Sequence, residues 1–152
     1  MAQYAIPDAD LDDGTWLDDA ASNIDLFASI APDTPGGISS GDDTDWITSV
    51  LNPTNAPVGI GLSTIGDPVA STGHIMRWRR AKDAAGGGTI GLVVELRQGY
   101  VNEGTPGSLI NGFTDANLSE TIGTTTDTLT GGEADTITNY ADLQVRLVAN
   151  QT

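Results

Sequence analysis

The chain has 152 residues, nineteen of them glycine, with 21 carboxylates against six Lys and Arg, one His and no Cys, for a formal net charge of −15. That length suits one domain around one hydrophobic core. The charge argues against binding nucleic acid or an anionic membrane, since such affinity comes from Lys and Arg, and the missing cysteine excludes disulfides, thiolate metal sites and thiol nucleophiles.

Glycine supplies the positive φ that tight turns need and threonine fits a pleated surface, so short strands joined by turns are expected. The first thirty residues lack the basic and apolar blocks of a signal peptide, and no apolar run approaches the roughly 18 residues of a membrane span. Any export is therefore expected to occur as part of an assembly. Charge is unevenly placed: residues 1–45 hold eleven carboxylates and no Lys or Arg, while five of the six basic residues lie from Arg77 to Arg97.

In chain order, Met1 to Gly14 is Ala, Asp and Pro with few bulky apolar side chains, too little apolar surface to offset the entropy of ordering. Residues 1–13 are thus expected as a flexible acidic arm and residues 14–152 as the folded domain. Ile24, Leu26, Ala28 and Ile30 alternate with Asp25, Phe27 and Ser29, which reads as a strand of period two. A Pro/Gly/Ser/Asp loop runs from Pro32 to Asp45, a short strand covers Trp46–Leu51, and Asn52–Pro57 with its two prolines is a turn. Val58, Ile60, Leu62 and Thr64 alternate with Gly59, Gly61 and Ser63, a strand with one bare face that another layer of protein can approach closely.

His74–Lys82 sets Met76 and Trp78 against Ile75, Arg77 and Arg79. Ile90, Leu92, Val94 and Leu96 share a face opposite Glu95 and Arg97. With the Gly-rich loop Asp83–Gly88 between them, these two strands are expected to form an antiparallel hairpin. Leu109–Thr114 and an edge strand Thr124–Thr130 follow, then a helical turn within Gly131–Asn139, and a last strand Tyr140–Ala149. About eight strands at this spacing indicate an all-β fold, an antiparallel β-sandwich or jelly roll with an extended N-terminal arm.

Candidate chemistry is sparse. His74 follows Gly73 at a strand start and reads as a hydrogen-bonded structural histidine rather than a base; no Gly-x-Ser-x-Gly elbow accompanies it. Asp8, Asp10, Asp12 and Asp13 precede Gly14 as in a calcium loop, but the register is wrong for an EF-hand, and these carboxylates, like Asp42, Asp43 and Asp45, read first as solvated acidic loops. No metal or other cofactor is expected. Arg77, Arg79, Arg80 and Lys82 form a basic strip that can pair within the chain, with cross-strand Glu95, or with the acidic region of a neighbouring subunit. Trp78 reads as core; Trp46, beside an Asp-rich loop, is the better candidate for an exposed contact. Carboxylate pairs alone would support a small hydrolase, yet no acid–base pair is specific enough to name, and the chain is not expected to be an enzyme.

The stretch Ser71-Thr72-Gly73-His74-Ile75-Met76-Arg77-Trp78-Arg79-Arg80-Ala81-Lys82-Asp83, with Val94-Glu95-Leu96-Arg97-Gln98-Gly99 and the closing Glu133-Ala134-Asp135 to Asn139-Tyr140-Ala141-Asp142-Leu143, resembles a family of small β-sandwich proteins encoded beside structural genes of tailed bacteriophages. The resemblance covers roughly residues 67–149, with a weaker match from Trp16 to Ile30. It implies a virion protein of jelly-roll type, of the kind that serves as capsid decoration protein, head fibre or tail-fibre lectin module; together with the arm, the small size and the acidity it leads to the expectation of a capsid decoration (cement) protein on the capsid exterior, with the major capsid protein and two further copies in a homotrimer as partners. Contacts are then expected from Tyr4, Ile6, Asp8, Asp10, Leu11 and Asp12 in the arm and from Arg77 and Arg79. The alternative is a lectin-like module of a head or tail fibre that recognises host glycans through Trp46. The family often carries an aromatic where Arg80 stands, so that strand lacks such a platform here.

Overall fold

The most regular alternation in the chain builds the centre of the fold. In the computed structural model, which describes residues 3–31, 45–84 and 88–152, β6 (Ile90–Gln98) buries Leu92, Val94 and Leu96 on one face and turns Glu95 and Arg97 to the other. It pairs on one side with β9 (Leu143–Gln151) and on the other with β7 (Ser108–Asp115). Beyond β9 lie β4 (Ala56–Leu62) and then β1 (Pro7–Asp12), completing a five-stranded sheet of order β1-β4-β9-β6-β7. Two ribbons accompany it: β2 (Leu17–Asp18) with β3 (Ile47–Thr48), and β5 (Ile75–Arg80) with β8 (Gly123–Thr128). Among the described residues there are two short helices, α1 (Leu26–Ile30) and α2 (Gly131–Ala134). Every pairing is antiparallel, so the expected antiparallel all-β class holds.

The core lies between the sheet and the β5–β8 ribbon. Val58, Ile60, Leu92, Val94 and Ala149 from the sheet pack with Trp16, Leu26 and Leu118. A second cluster joins Leu96, Ile110, Leu129, Ile137 and Leu143. Met76 packs against both clusters. Trp78 meets Phe113 edge-on at 5.2 Å, in line with the core role expected of it. Each fully buried aliphatic side chain of this set contributes roughly 1.5–3 kcal/mol relative to exposure.

The expected hairpin of His74–Lys82 with Ile90–Leu96 is not formed. β5 pairs with β8, matching Arg77 with Thr126 and Trp78 with Thr125, and β6 takes β7 and β9 as neighbours. The reason is burial: Met76 and Trp78 are needed against the buried face of β6, so the strands stack face to face instead of side by side. Alternation reports which side chains share a face and is silent on which strand lies alongside.

The strand expected at Ile24–Ile30 is instead helical from Leu26. Asp25 takes a left-handed conformation (φ 60°) and offers no side-chain cap. The Asp10 carboxylate of β1 supplies it, accepting the N–H groups of Leu26 and Phe27 at 2.8 Å each. Of the apolar residues there, Leu26 is fully buried and Ile24 is exposed. Over five residues, Leu26 and Ile30 satisfy a helical i, i+4 spacing as well as a period of two.

The segment expected as a free arm supplies the sheet edge. β1 pairs with β4; the Ser63 N–H donates to the Ile6 carbonyl and the Ile6 N–H to Ser63 Oγ. Gln3 and Gly66 exchange two hydrogen bonds through the Gln3 amide. Backbone pairing replaces the apolar burial that this stretch lacks. The glycines of β4 admit β1 close alongside: a Cβ on Gly61 would stand 3.3 Å from Ala9 Cβ, its partner in register, and 3.5 Å from Leu11 Cδ2.

Because Asp10 caps a helix from a distant strand, Asp10→Ala is expected to cost about 1–2 kcal/mol. The urea midpoint should fall with an unchanged m-value. A midpoint equal to that of the parent chain would show that α1 does not depend on this carboxylate.

Candidate functional site

On the face of the sheet turned away from the core, the pleat places Glu95 of β6 opposite Arg146 of β9. Glu95 Oε2 accepts from Arg97 Nε at 2.8 Å and from an Arg146 terminal nitrogen at 3.3 Å. Arg146 also holds Glu103 at 2.5 Å, and Arg97 donates to the Gly107 carbonyl at 2.6 Å. Burial acts to raise the Glu95 pKa, but the bonds and charges of Arg97 and then Arg146 outweigh it and hold the carboxyl below its ordinary value. Hydrogen bonding to Glu103 and Glu95, against the opposing effect of burial, pushes Arg146 up.

These bonds fold the loop after β6, residues 99–107, back over the sheet. Gln144, 1% exposed, donates to the Pro106 carbonyl at 2.5 Å. The Tyr100 hydroxyl donates to the Leu11 carbonyl at 3.0 Å, and burial, followed by the charges of Asp12 and Glu103, raises its pKa.

Beside this loop, an open cleft of about 550 Å³ is lined by Gln98, Gly99, Ser108, Thr138, Asn139 and Asp142 among others. Gln98 builds its wall. Its Oε1 accepts from the N–H groups of Thr138 (2.9 Å) and Asn139 (3.2 Å), and its Nε2 donates to the Thr136 carbonyl at 2.7 Å. The Gly99 N–H donates to the Asp142 carbonyl, linking the two sides. The sequence reading missed this cleft. The signal for it was a polar turn, Thr138 to Asp142, facing a loop that begins and ends in glycine.

A second feature is an apolar corner. Trp46 is 51% exposed, Ile24 69% and Leu51 89%, and Val50 also stands in solvent. All four lie on or next to the β2–β3 ribbon and the entry to α1, which packs against both ribbon strands.

The residues singled out from sequence are dispersed. Tyr4 and Asp8 are exposed at the β1 edge. Ile6 and Leu11 are half-buried, their carbonyls bonded to Ser63 and Tyr100. Asp10 caps α1, Asp12 accepts from the Gly14 N–H, and Asp13 accepts from Asn23. The basic strip is split by the pleat. Arg77 and Arg79 lie on the outer face of the ribbon, bonded to Thr126 and Thr124. Arg80 turns inward to Asp115 at 2.6 Å, its guanidinium 5.1 Å from the Phe113 ring centroid and also bonded to Thr125. Lys82 reaches the Gly88 carbonyl and Asn117. Glu95, the partner expected for this strip, pairs with Arg97 and Arg146 instead.

His74 meets the Tyr140 hydroxyl through Nε2 at 2.8 Å, the hydrogen-bonded setting expected of it. Tyr140 is raised above its ordinary pKa by burial, then by Asp67 and Asp135. Asp42 and Asp43 of the second acidic cluster lie outside the described residues. No family model matches the chain, and no curated protein or solved structure matches it.

Proposed function

We propose that the protein is a non-enzymatic component of a bacteriophage virion, a capsid decoration protein that binds the outer surface of the head as a homotrimer and strengthens contacts between capsid subunits. The observation that carries this reading is the apolar corner of Ile24, Trp46, Val50 and Leu51 on a chain of net charge −15. An acidic surface keeps a protein dispersed, whereas several exposed apolar side chains on or next to one ribbon suit a surface that another protein covers. The resemblance of residues 67–149 to phage virion proteins supplies the class of partner.

Docking at that corner would add stability to the folded capsid lattice by mass action, with no chemistry required. With residues 3–12 engaged in and along the sheet, the contact role first given to an arm passes to this corner, with Tyr4 and Asp8 on the outward side of β1.

The test is occupancy on purified heads lacking the protein. Trp46→Ala combined with Leu51→Asp should reduce bound copies at least about tenfold while leaving the melting temperature of the free chain within a few degrees. Full occupancy of the double variant, or no binding of the parent chain to heads, would overturn the reading.

A further inference from the structure

We propose that the cleft bordered by Gln98, Gly99, Ser108, Thr138, Asn139 and Asp142 is a binding site for a neutral, polyhydroxylated ligand, a saccharide. The site is separate from the apolar corner, and the proposal does not rest on the capsid reading.

The space is a consequence of backbone choice. Gly99 and Gly107 bracket the loop with φ of +77° and +82°, and a Cβ on Gly99 would meet nothing within 4 Å. No side chain therefore fills the space at that position. At about 550 Å³ the cleft falls within the range of roughly 300–1,000 Å³ usual for small-molecule sites.

The wall is ordered before any ligand arrives. The Gln98 amide engages Thr136, Thr138 and Asn139, Asn139 Oδ1 accepts the Ala141 N–H, and the Asp142 N–H donates to the Asn139 carbonyl. A site fixed in this way spares a weak ligand the entropy of ordering the protein.

The chemistry of the lining selects the ligand class. Asp142 is exposed, and no donor among the described residues engages its carboxylate. A carboxylate is acceptor-only and takes two hydroxyl hydrogens at once. Ser108 adds a hydroxyl that donates or accepts, Thr138, whose hydroxyl donates to Gln98 Oε1 at 3.3 Å, adds an acceptor, and Asn139 retains its amide N–H₂ as donor. Vicinal diols present the matching alternation of donor and acceptor. Among the described residues no Lys or Arg lines the cleft, which with the acidic charge of the chain disfavours an anionic ligand, and a single carboxylate is too few for a divalent cation.

The experiment applies the full chain to an array of neutral and sialylated or sulfated glycans, followed by calorimetric titration with the neutral oligosaccharide best retained. Asp142→Ala is expected to weaken binding at least about tenfold, and Ser108→Leu, at an exposed strand end, to block it by filling the cleft; Trp46→Ala should bind as the parent does. Melting curves confirm that each variant is folded, and should Asp142→Ala fail to fold, Ser108→Leu carries the test. The proposal is overturned by retention of no glycan, by retention of acidic glycans alone, by unchanged affinity in a folded cleft variant, or by loss of binding in Trp46→Ala.

Discussion

Arg146→Ala is expected to lower the unfolding free energy by about 3 kcal/mol, and the melting temperature by roughly 6–12 °C for a chain of this size. The substitution removes the one group that bridges Glu95 and Glu103. Two carboxylates then share a half-buried face with a single arginine, Arg97, which is bonded to Glu95 and to the Gly107 carbonyl. The cost lies at the low end for a broken buried pair because Glu103 is about a third exposed and Glu95 keeps one partner.

The same network sets an acid dependence. Glu95 is held below its ordinary value of 4.5, so its stabilisation is present above that value and is lost as pH falls through the lowered one. The gap in melting temperature between the parent chain and Arg146→Ala should therefore be full at pH 7 and close under more acid conditions. Comparing the two chains removes the general relief of self-repulsion that protonation brings to so acidic a protein. Equal melting temperatures at pH 7, or a gap that persists unchanged at pH 2, would show that the ionic network contributes nothing.

Gly107→Ala is expected to be costlier still, about 4 kcal/mol or more, while Gly99→Ala should cost only about 1–2 kcal/mol. Both glycines have positive φ, so the conformational penalty is shared. They differ in surroundings. A Cβ on Gly107 would fall inside van der Waals contact of the Gln98 and Gly99 carbonyl oxygens, which are backbone atoms and cannot swing away, whereas one on Gly99 meets open space. Urea midpoints of the two variants measure the difference directly; equal shifts would show that the turn relaxes without cost. Since Arg97 donates to the Gly107 carbonyl, the costlier variant should also loosen the loop over Glu95 and Arg146.

Much of the fold was legible in alternation. Leu92, Val94 and Leu96 opposite Glu95 and Arg97, and Met76 and Trp78 opposite Arg77 and Arg79, lie on the faces that a period of two assigns them. The helical turn expected within Gly131–Asn139 forms at Gly131–Ala134, where the structure adds a Thr130–Glu133 capping box. The misreadings share a cause. The segment Leu26–Ile30 became helical because Asp10, sixteen residues away, caps it, and β1 entered the sheet because Gly59 and Gly61, about fifty residues on, leave room beside it. The cleft was hidden for the same reason: Gln98 and Asn139 are 41 positions apart and meet only in the folded chain.

By itself, then, the sequence determined the antiparallel all-β class, the inward and outward sides of β5 and β6, and an acidic surface unsuited to phosphate. These follow from local alternation and from composition, which need no partner to be stated. Only the tertiary structure decided that β5 pairs with β8 and lies over β6, that the N-terminal acidic stretch closes an edge of the sheet, and that a polar cleft opens between two loops. Strand pairing and loop meeting depend on which distant surfaces exclude water from each other, and that choice is made by the whole chain at once.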